Sequence, residues 1–225
     1  MKLVIIEGGE NVGKTYLVDR LKKEFGNKIA YAKFPSPELM NKYSSVVTAS
    51  SLTTPYDDFI SMCDFVDDLI MEEFEDIEHD KHGIILIDRF HLSTIVYQYL
   101  MAITHKDVRL EKINNAYKIL FNVLNITEDD MITYVLNKKY NMNEMDGRTE
   151  AQITNDNNSD IIDECYQDLL NSPQNYFGTK NIIVFPENDI VKYSVHGDEY
   201  PNKTMENGEY TFKTIKNYIY NELVK

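Results

Sequence analysis

The residues with the clearest chemistry lie in Lys2–Thr15, KLVIIEGGENVGKT. Gly8, Gly13, Lys14 and Thr15 match G-x-x-x-x-G-K-[ST], with Gly9, Glu10, Asn11 and Val12 filling the interval. A loop of this kind handles nucleotide phosphates. Its glycines let backbone N–H groups approach phosphate oxygens, and the helix that follows turns its positive end towards them. Lys14 is expected to reach the β- and γ-phosphates of a nucleotide, and Thr15 to offer its hydroxyl to Mg2+. A second charged pair, Asp88-Arg89, follows the apolar run Gly83–Ile87. A carboxylate at the end of a buried strand can hold Mg2+ or its waters, whereas an isolated Asp-Arg is by default a structural ion pair.

These groups need rigid mounts, and the apolar spacing supplies them. Leu3–Ile6 reads as a buried strand, and Tyr16, Leu17, Leu21 and Phe25 recur at helical spacing up to Gly26. Ile29–Lys33 is a short strand stopped by Phe34-Pro35-Ser36-Pro37, and residues 38–54 read as a polar connection. Thr54-Pro55 opens a long helix, with Thr54 as N-cap, Pro55 at the first helical position and Asp57 and Asp58 near the positive end. Its stripe of Phe59, Met62, Phe65, Val66, Leu69, Ile70 and Phe74 is mainly core, with the N-terminal aromatics able to face a ligand.

Gly83–Ile87 has no polar alternation, which suits a sheet covered on both faces. Residues 92–103 and 110–124 read as helices and Met131–Leu136 as a strand. From 137 to 158 the periodicity disappears in Asn-, Asp-, Lys- and Met-rich sequence, the composition of a lid. Ser159 caps a helix to about Leu170, Asn181–Phe185 is a fifth strand ended by Pro186, residues 190–212 read as a polar hairpin turning at Glu206-Asn207-Gly208, and 213–224 as a closing helix. Strands alternating with helices predict a parallel sheet between helical layers, with ligands at the strands' C-terminal ends.

Composition narrows the classes. The 225 residues predict a single domain spanning 1–225, and 43% hydrophobic with 27% charged residues is the balance of a soluble globular chain. No apolar run approaches the roughly 20 residues of a membrane span. Met1 leads directly into a strand, so a cytoplasmic protein is expected, and Cys63 and Cys165 lack metal-ligand spacing. A net charge of −14 argues against nucleic acid as a partner and leaves room for a small phosphorylated ligand.

The run Asp88-Arg89-Phe90-His91-Leu92-Ser93-Thr94-Ile95-Val96-Tyr97-Gln98 resembles the D-R-[YHF]-x-x-S-x-x-A-Y-Q signature of thymidylate kinases. Ile6-Glu7-Gly8-Gly9-Glu10 is similar to that family's E-G-x-[ED] loop, and Phe34-Pro35 sits where some members carry F-P-x-R. The resemblance implies a P-loop NTPase fold, an α/β/α sandwich with a five-stranded parallel sheet and a lid. It implies that Arg89 holds the acceptor nucleotide's phosphate, Asp88 lies near Mg2+, and Glu10 meets the sugar 3′-hydroxyl. It also implies that Tyr97 crowds the 2′ position, that Ser93 and Thr94 lie along the base, and that Phe34 and Gln98 belong to the same acceptor site. Asn11 stands where some members have a basic residue in the loop; members without it carry an arginine in the lid, so the resemblance implies that Arg148 stabilises charge on the transferring phosphoryl. The family is usually dimeric, so a homodimer is the implied assembly.

Two departures accompany these matches. Pro37 replaces the arginine of F-P-x-R, and no arginine lies between Tyr56 and Asp88, where the family reads its pyrimidine. Asp64 is the best-aligned residue there, with Phe59 or Phe65 as stacking candidates. A carboxylate accepts from a base N–H where an arginine would donate, so Asp64 signals either an amino-bearing base or an ordinary solvated helix residue. The activity implied is transfer of the γ-phosphoryl of ATP to a deoxynucleoside monophosphate, dTMP first. A deoxynucleoside kinase using Glu38 as base, and a nucleotide-binding switch module or relative without turnover, are the competing readings.

Overall fold

The computed structural model describes residues 1–9, 12–43, 56–101, 106–136, 159–171, 180–185 and 203–225. The elements in chain order are β1 (Lys2–Gly8), α1 (Lys14–Phe25), β2 (Ala30–Lys33), α2 (Pro37–Lys42), α3 (Tyr56–His79), β3 (Ile84–Asp88), α4 (His91–Met101), α5 (Lys106–Val123), β4 (Met131–Leu136), α6 (Ser159–Asn171), β5 (Ile182–Phe185) and α7 (Lys203–Leu223). The five strands form one sheet in the order β2-β3-β1-β4-β5, every neighbouring pair parallel.

The two-residue period of a strand divides the core between the sheet's faces. Leu3 and Ile5 of β1, with Ile85 and Ile87 of β3, point to the face covered by α2–α6. Val4 and Ile6, with Ile84 and Leu86, point to the face covered by α1 and α7. Because both faces are covered, the strands read as unbroken apolar runs. The chain leaves β1 for β2 and β3 on one side and then adds β4 and β5 on the other. That reversal makes the C-terminal end of β1 a topological switch point, where sheets of this kind take their ligands.

Two elements differ from the sequence reading. The polar stretch after Lys33 carries a short helix, α2, because Ser36 caps it by accepting from the Leu39 N–H at 3.1 Å and Pro37 stands at its first position. The hairpin expected up to residue 212 is not formed over 203–212, where α7 runs through Glu206-Asn207-Gly208. Phe212, Ile215 and Ile219 lie at helical spacing and are buried with α1. Arg20 of α1 sits 3.9 Å from the Phe212 ring centroid and donates to Glu209 at 2.9 Å. That packing outweighs the roughly 1 kcal/mol cost of a glycine inside a helix. The lid expected at 137–158 and the rest of the hairpin segment lie outside the described residues.

Candidate phosphate-binding site

The site is built from the C-terminal edges of β1 and β3. Gly8 ends β1 at φ 133, and a Cβ there would stand 2.4 Å from the Leu136 carbonyl oxygen of β4, so only glycine fits. Gly13 takes φ 91 and caps α1, its carbonyl accepting from the Leu17 N–H at 3.0 Å. The buried ammonium of Lys14 donates back across the loop to the carbonyl oxygens of Gly8, at 2.9 Å, and Gly9. Val12 is buried beneath it and anchors the loop to the α1–α7 layer. Glu10 and Asn11 are outside the described residues.

Asp88 ends β3 beside this loop, paired in register with Ile6 of β1 and Lys33 of β2. Its side chain is only 2% exposed, and Oδ2 accepts from the Thr15 hydroxyl at 3.3 Å and lies 3.9 Å from Lys33 Nζ. The set is all-oxygen and small: one carboxylate, one hydroxyl, and no group of three or more acidic, His or Cys side chains among the described residues. This suits Mg2+ brought in with nucleotide phosphates, which typically uses one or two protein oxygens, better than a resident metal cage.

Arg89 follows at φ 68, a left-handed conformation that costs a non-glycine residue about 1–2 kcal/mol. Flanking bonds hold it there. Its N–H donates to the Ile6 carbonyl at 3.0 Å, and the next N–H, of Phe90, donates to Glu7 Oε1 at 3.0 Å. Strain of this sort persists only where the surroundings over-determine it.

Glu7 has no role in the sequence reading, yet it organises this turn. It is fully buried and accepts from Phe90 N–H, from Ser93 N–H at 3.2 Å, from the Ser93 hydroxyl, and from the Tyr166 hydroxyl at 3.3 Å. A carboxylate from β1 thereby caps α4, satisfying N–H groups that have no partner within the helix. Burial raises its pKa, and the bonds from Ser93, together with the Arg89 charge, oppose the rise. The signal in the sequence was an acid ending an apolar strand, since charged residues are almost never fully buried without partners.

The residues expected on an acceptor side divide three ways. Arg89 and Asp88 lie together at the edge of β3. Ser93 and Thr94 do not lie along an open face: they are 5% and 6% exposed, Ser93 bonded to Glu7 and Thr94 directed at the Phe90 carbonyl at 3.4 Å. Phe34 is likewise a core residue, 1% exposed and 6.0 Å from the Phe90 ring. Ser93 and Thr94 are drawn inward because the α4 N-terminus docks on β1, and Phe34 because its ring packs beside Phe90. Phe65 is half-buried with its ring edge-on to Tyr43 at 5.4 Å, and Asp64 is exposed on α3. The side chains of Phe59, Tyr97 and Gln98, and the whole of Arg148, fall outside the described residues.

No protein-family profile matches the sequence, and no curated protein does. Solved structures do resemble it. A thymidylate kinase from Candida albicans is 18% identical, with a TM-score of 0.52 over 96% of this chain and 92% of its own. A thymidylate kinase from Ehrlichia chaffeensis is 14% identical, with a TM-score of 0.52 over 95% and 98%. A NadR protein, solved in complex with NR, is 15% identical with a TM-score of 0.55; the match covers 96% of this chain but 51% of that one. At such identities the likeness is one of fold, and this chain has the P-loop kinase fold.

Proposed function

We propose that the protein is an ATP-dependent nucleoside monophosphate kinase, transferring the γ-phosphoryl of ATP to a deoxynucleoside monophosphate, with dTMP the first acceptor to test. One observation supports this above all: the Thr15 hydroxyl and the Asp88 carboxylate meet at 3.3 Å beside the loop that holds Lys14, with Arg89 fixed at the next residue. A carboxylate, a hydroxyl and cations around one crevice is the set that phosphoryl transfer uses, because that chemistry is mainly positioning and electrostatics.

In this reading the loop N–H groups and Lys14 hold the donor phosphates, and Arg89 holds the acceptor's phosphate. Thr15 and Asp88 would hold Mg2+ or its waters, and the ion would supply neutralisation of phosphate charge. An oxygen of the acceptor phosphate attacks the γ-phosphorus, the bond from that phosphorus to the β–γ bridging oxygen breaks, and ADP leaves. A phosphate monoester has its second pKa near 6, so the attacking oxygen is already ionised at neutral pH and no base is required. Arg148 is assigned to the transferring phosphoryl on the resemblance described above.

ADP release measured with dTMP, dUMP, dCMP, dGMP, dAMP and the free deoxynucleosides tests the assignment. Turnover is expected with at least one monophosphate, and Lys14→Ala or Arg89→Ala should each lower kcat/KM by at least about 100-fold in variants that melting curves show to be folded. Activity confined to free deoxynucleosides overturns the acceptor, and no activity with any of them overturns the kinase.

A further inference from the structure

Lys33 is the last residue of β2, and its ammonium stands 3.9 Å from Asp88 Oδ2, the oxygen that also accepts from Thr15. The two partners are unlike. The Asp88 side chain is 2% exposed and needs a compensating cation, whereas the Lys33 side chain is 47% exposed and reaches the carboxylate only at the outer limit of an ion pair. Lys33 can therefore leave once another cation compensates Asp88, because the long, half-exposed contact holds the lysine only weakly. The sheet order fixes the side on which it would act. The phosphate loop follows β1, Asp88-Arg89 follows β3, and Lys33 ends β2, beyond β3 and away from the loop.

We infer that Lys33 is an acceptor-phosphate ligand that waits on Asp88: when a divalent cation with the donor nucleotide compensates Asp88, the ammonium turns to the acceptor's monoester phosphate. The inference rests on the kinase reading above and adds a residue to the acceptor side of that site. Two anionic tails must approach each other in the crevice, and a mobile ammonium beyond Asp88 neutralises the second tail where the loop cannot reach. Being a lysine, it acts as a point charge on a flexible stem and suits a group that changes partner.

Calorimetric titrations of wild type, Lys33→Met and Lys33→Arg, each saturated with Mg2+ and a non-hydrolysable ATP analogue, with the preferred monophosphate and with the same deoxynucleoside lacking its phosphate provide the test. In Lys33→Met, monophosphate binding should weaken roughly tenfold, as expected for loss of one charge-assisted contact, with recovery in Lys33→Arg. Deoxynucleoside binding, ATP·Mg2+ binding and melting temperature should stay as in wild type, and KM for the acceptor should rise with kcat nearly constant. Equal weakening for the deoxynucleoside, or monophosphate binding in Lys33→Met equal to that of a wild type that turns over, overturns Lys33 alone. A wild type that phosphorylates no monophosphate overturns the kinase reading and this inference with it.

Discussion

Glu7 sits where β1 meets α4, and its carboxylate accepts from Phe90 N–H, Ser93 N–H and the hydroxyls of Ser93 and Tyr166. Those bonds flank Arg89 in its left-handed turn, so the residue proposed to hold the acceptor's phosphate depends on the buried Glu7. In Glu7→Gln, an amide NH2 would face a crowd of donors where an acceptor is required. We expect a loss of about 1–3 kcal/mol of stability. The acceptor KM should rise more than tenfold while ATP affinity, set by the loop, changes little; melting curves and separate titrations of the two substrates check this. Equal weakening of both ligands would refute the assignment of Glu7 to the Arg89 turn. Residue chemistry of this kind was half legible: Lys14, Thr15, Asp88 and Arg89 stood out by type and spacing. The inward turn of Ser93 did not, because its partner is 86 residues away.

Among the elements, the β1–loop–α1 unit has the tightest tolerance. Gly8 combines φ 133 with a backbone approach to β4 that leaves no room for a methyl group. Gly8→Ala should cost at least about 2 kcal/mol, because strain at that φ adds to the displaced strand contact. ATP binding should be lost along with it, read by thermal melting with and without ATP·Mg2+. An alanine variant that melts and binds as wild type does would show that the loop does not need this geometry. Strand limits were legible almost to the residue, since Met131–Leu136 and the run ending at Asp88 are continuous apolar sequence that only a doubly covered sheet can bury. The closing helix was read over 213–224, but the first half of α7, residues 203–212, was not. A local Asn-Gly turn signal spoke for a hairpin, and the deciding contacts of Phe212 and Arg20 come from opposite ends of the chain.

On the scale of the whole molecule, α3–α6 enclose a buried acid that the proposed chemistry does not use. Glu73 is fully buried, and neither carboxyl oxygen has a hydrogen-bond partner among the described residues. Burial pushes its pKa well above the ordinary range, offset only in part by the nearby Tyr117 hydroxyl, and Glu7 pushes the same way through its charge. A carboxyl whose pKa is raised by folding binds its proton more tightly in the native state. Its favourable contribution is present below the unfolded value and is lost as pH rises towards the folded one. Replacing it with Gln should therefore leave stability nearly unchanged at pH 4 and raise it at pH 8, by about 1–3 kcal/mol. Melting temperatures of both proteins across that range decide it, and a difference independent of pH would contradict the account.

The amino-acid sequence by itself determined the phosphate loop, the parallel sheet covered on both faces, and the Asp88-Arg89 pair at a strand end. Each of these is written in residues that are neighbours along the chain or recur at a fixed period. Only the tertiary structure decided that Glu7 caps α4, that Phe34, Ser93 and Thr94 turn into the core, and that Lys33 shares Asp88 with Thr15. Those outcomes depend on which strand lies beside which. The order β2-β3-β1-β4-β5 brings together groups whose separation along the chain carries no local signal.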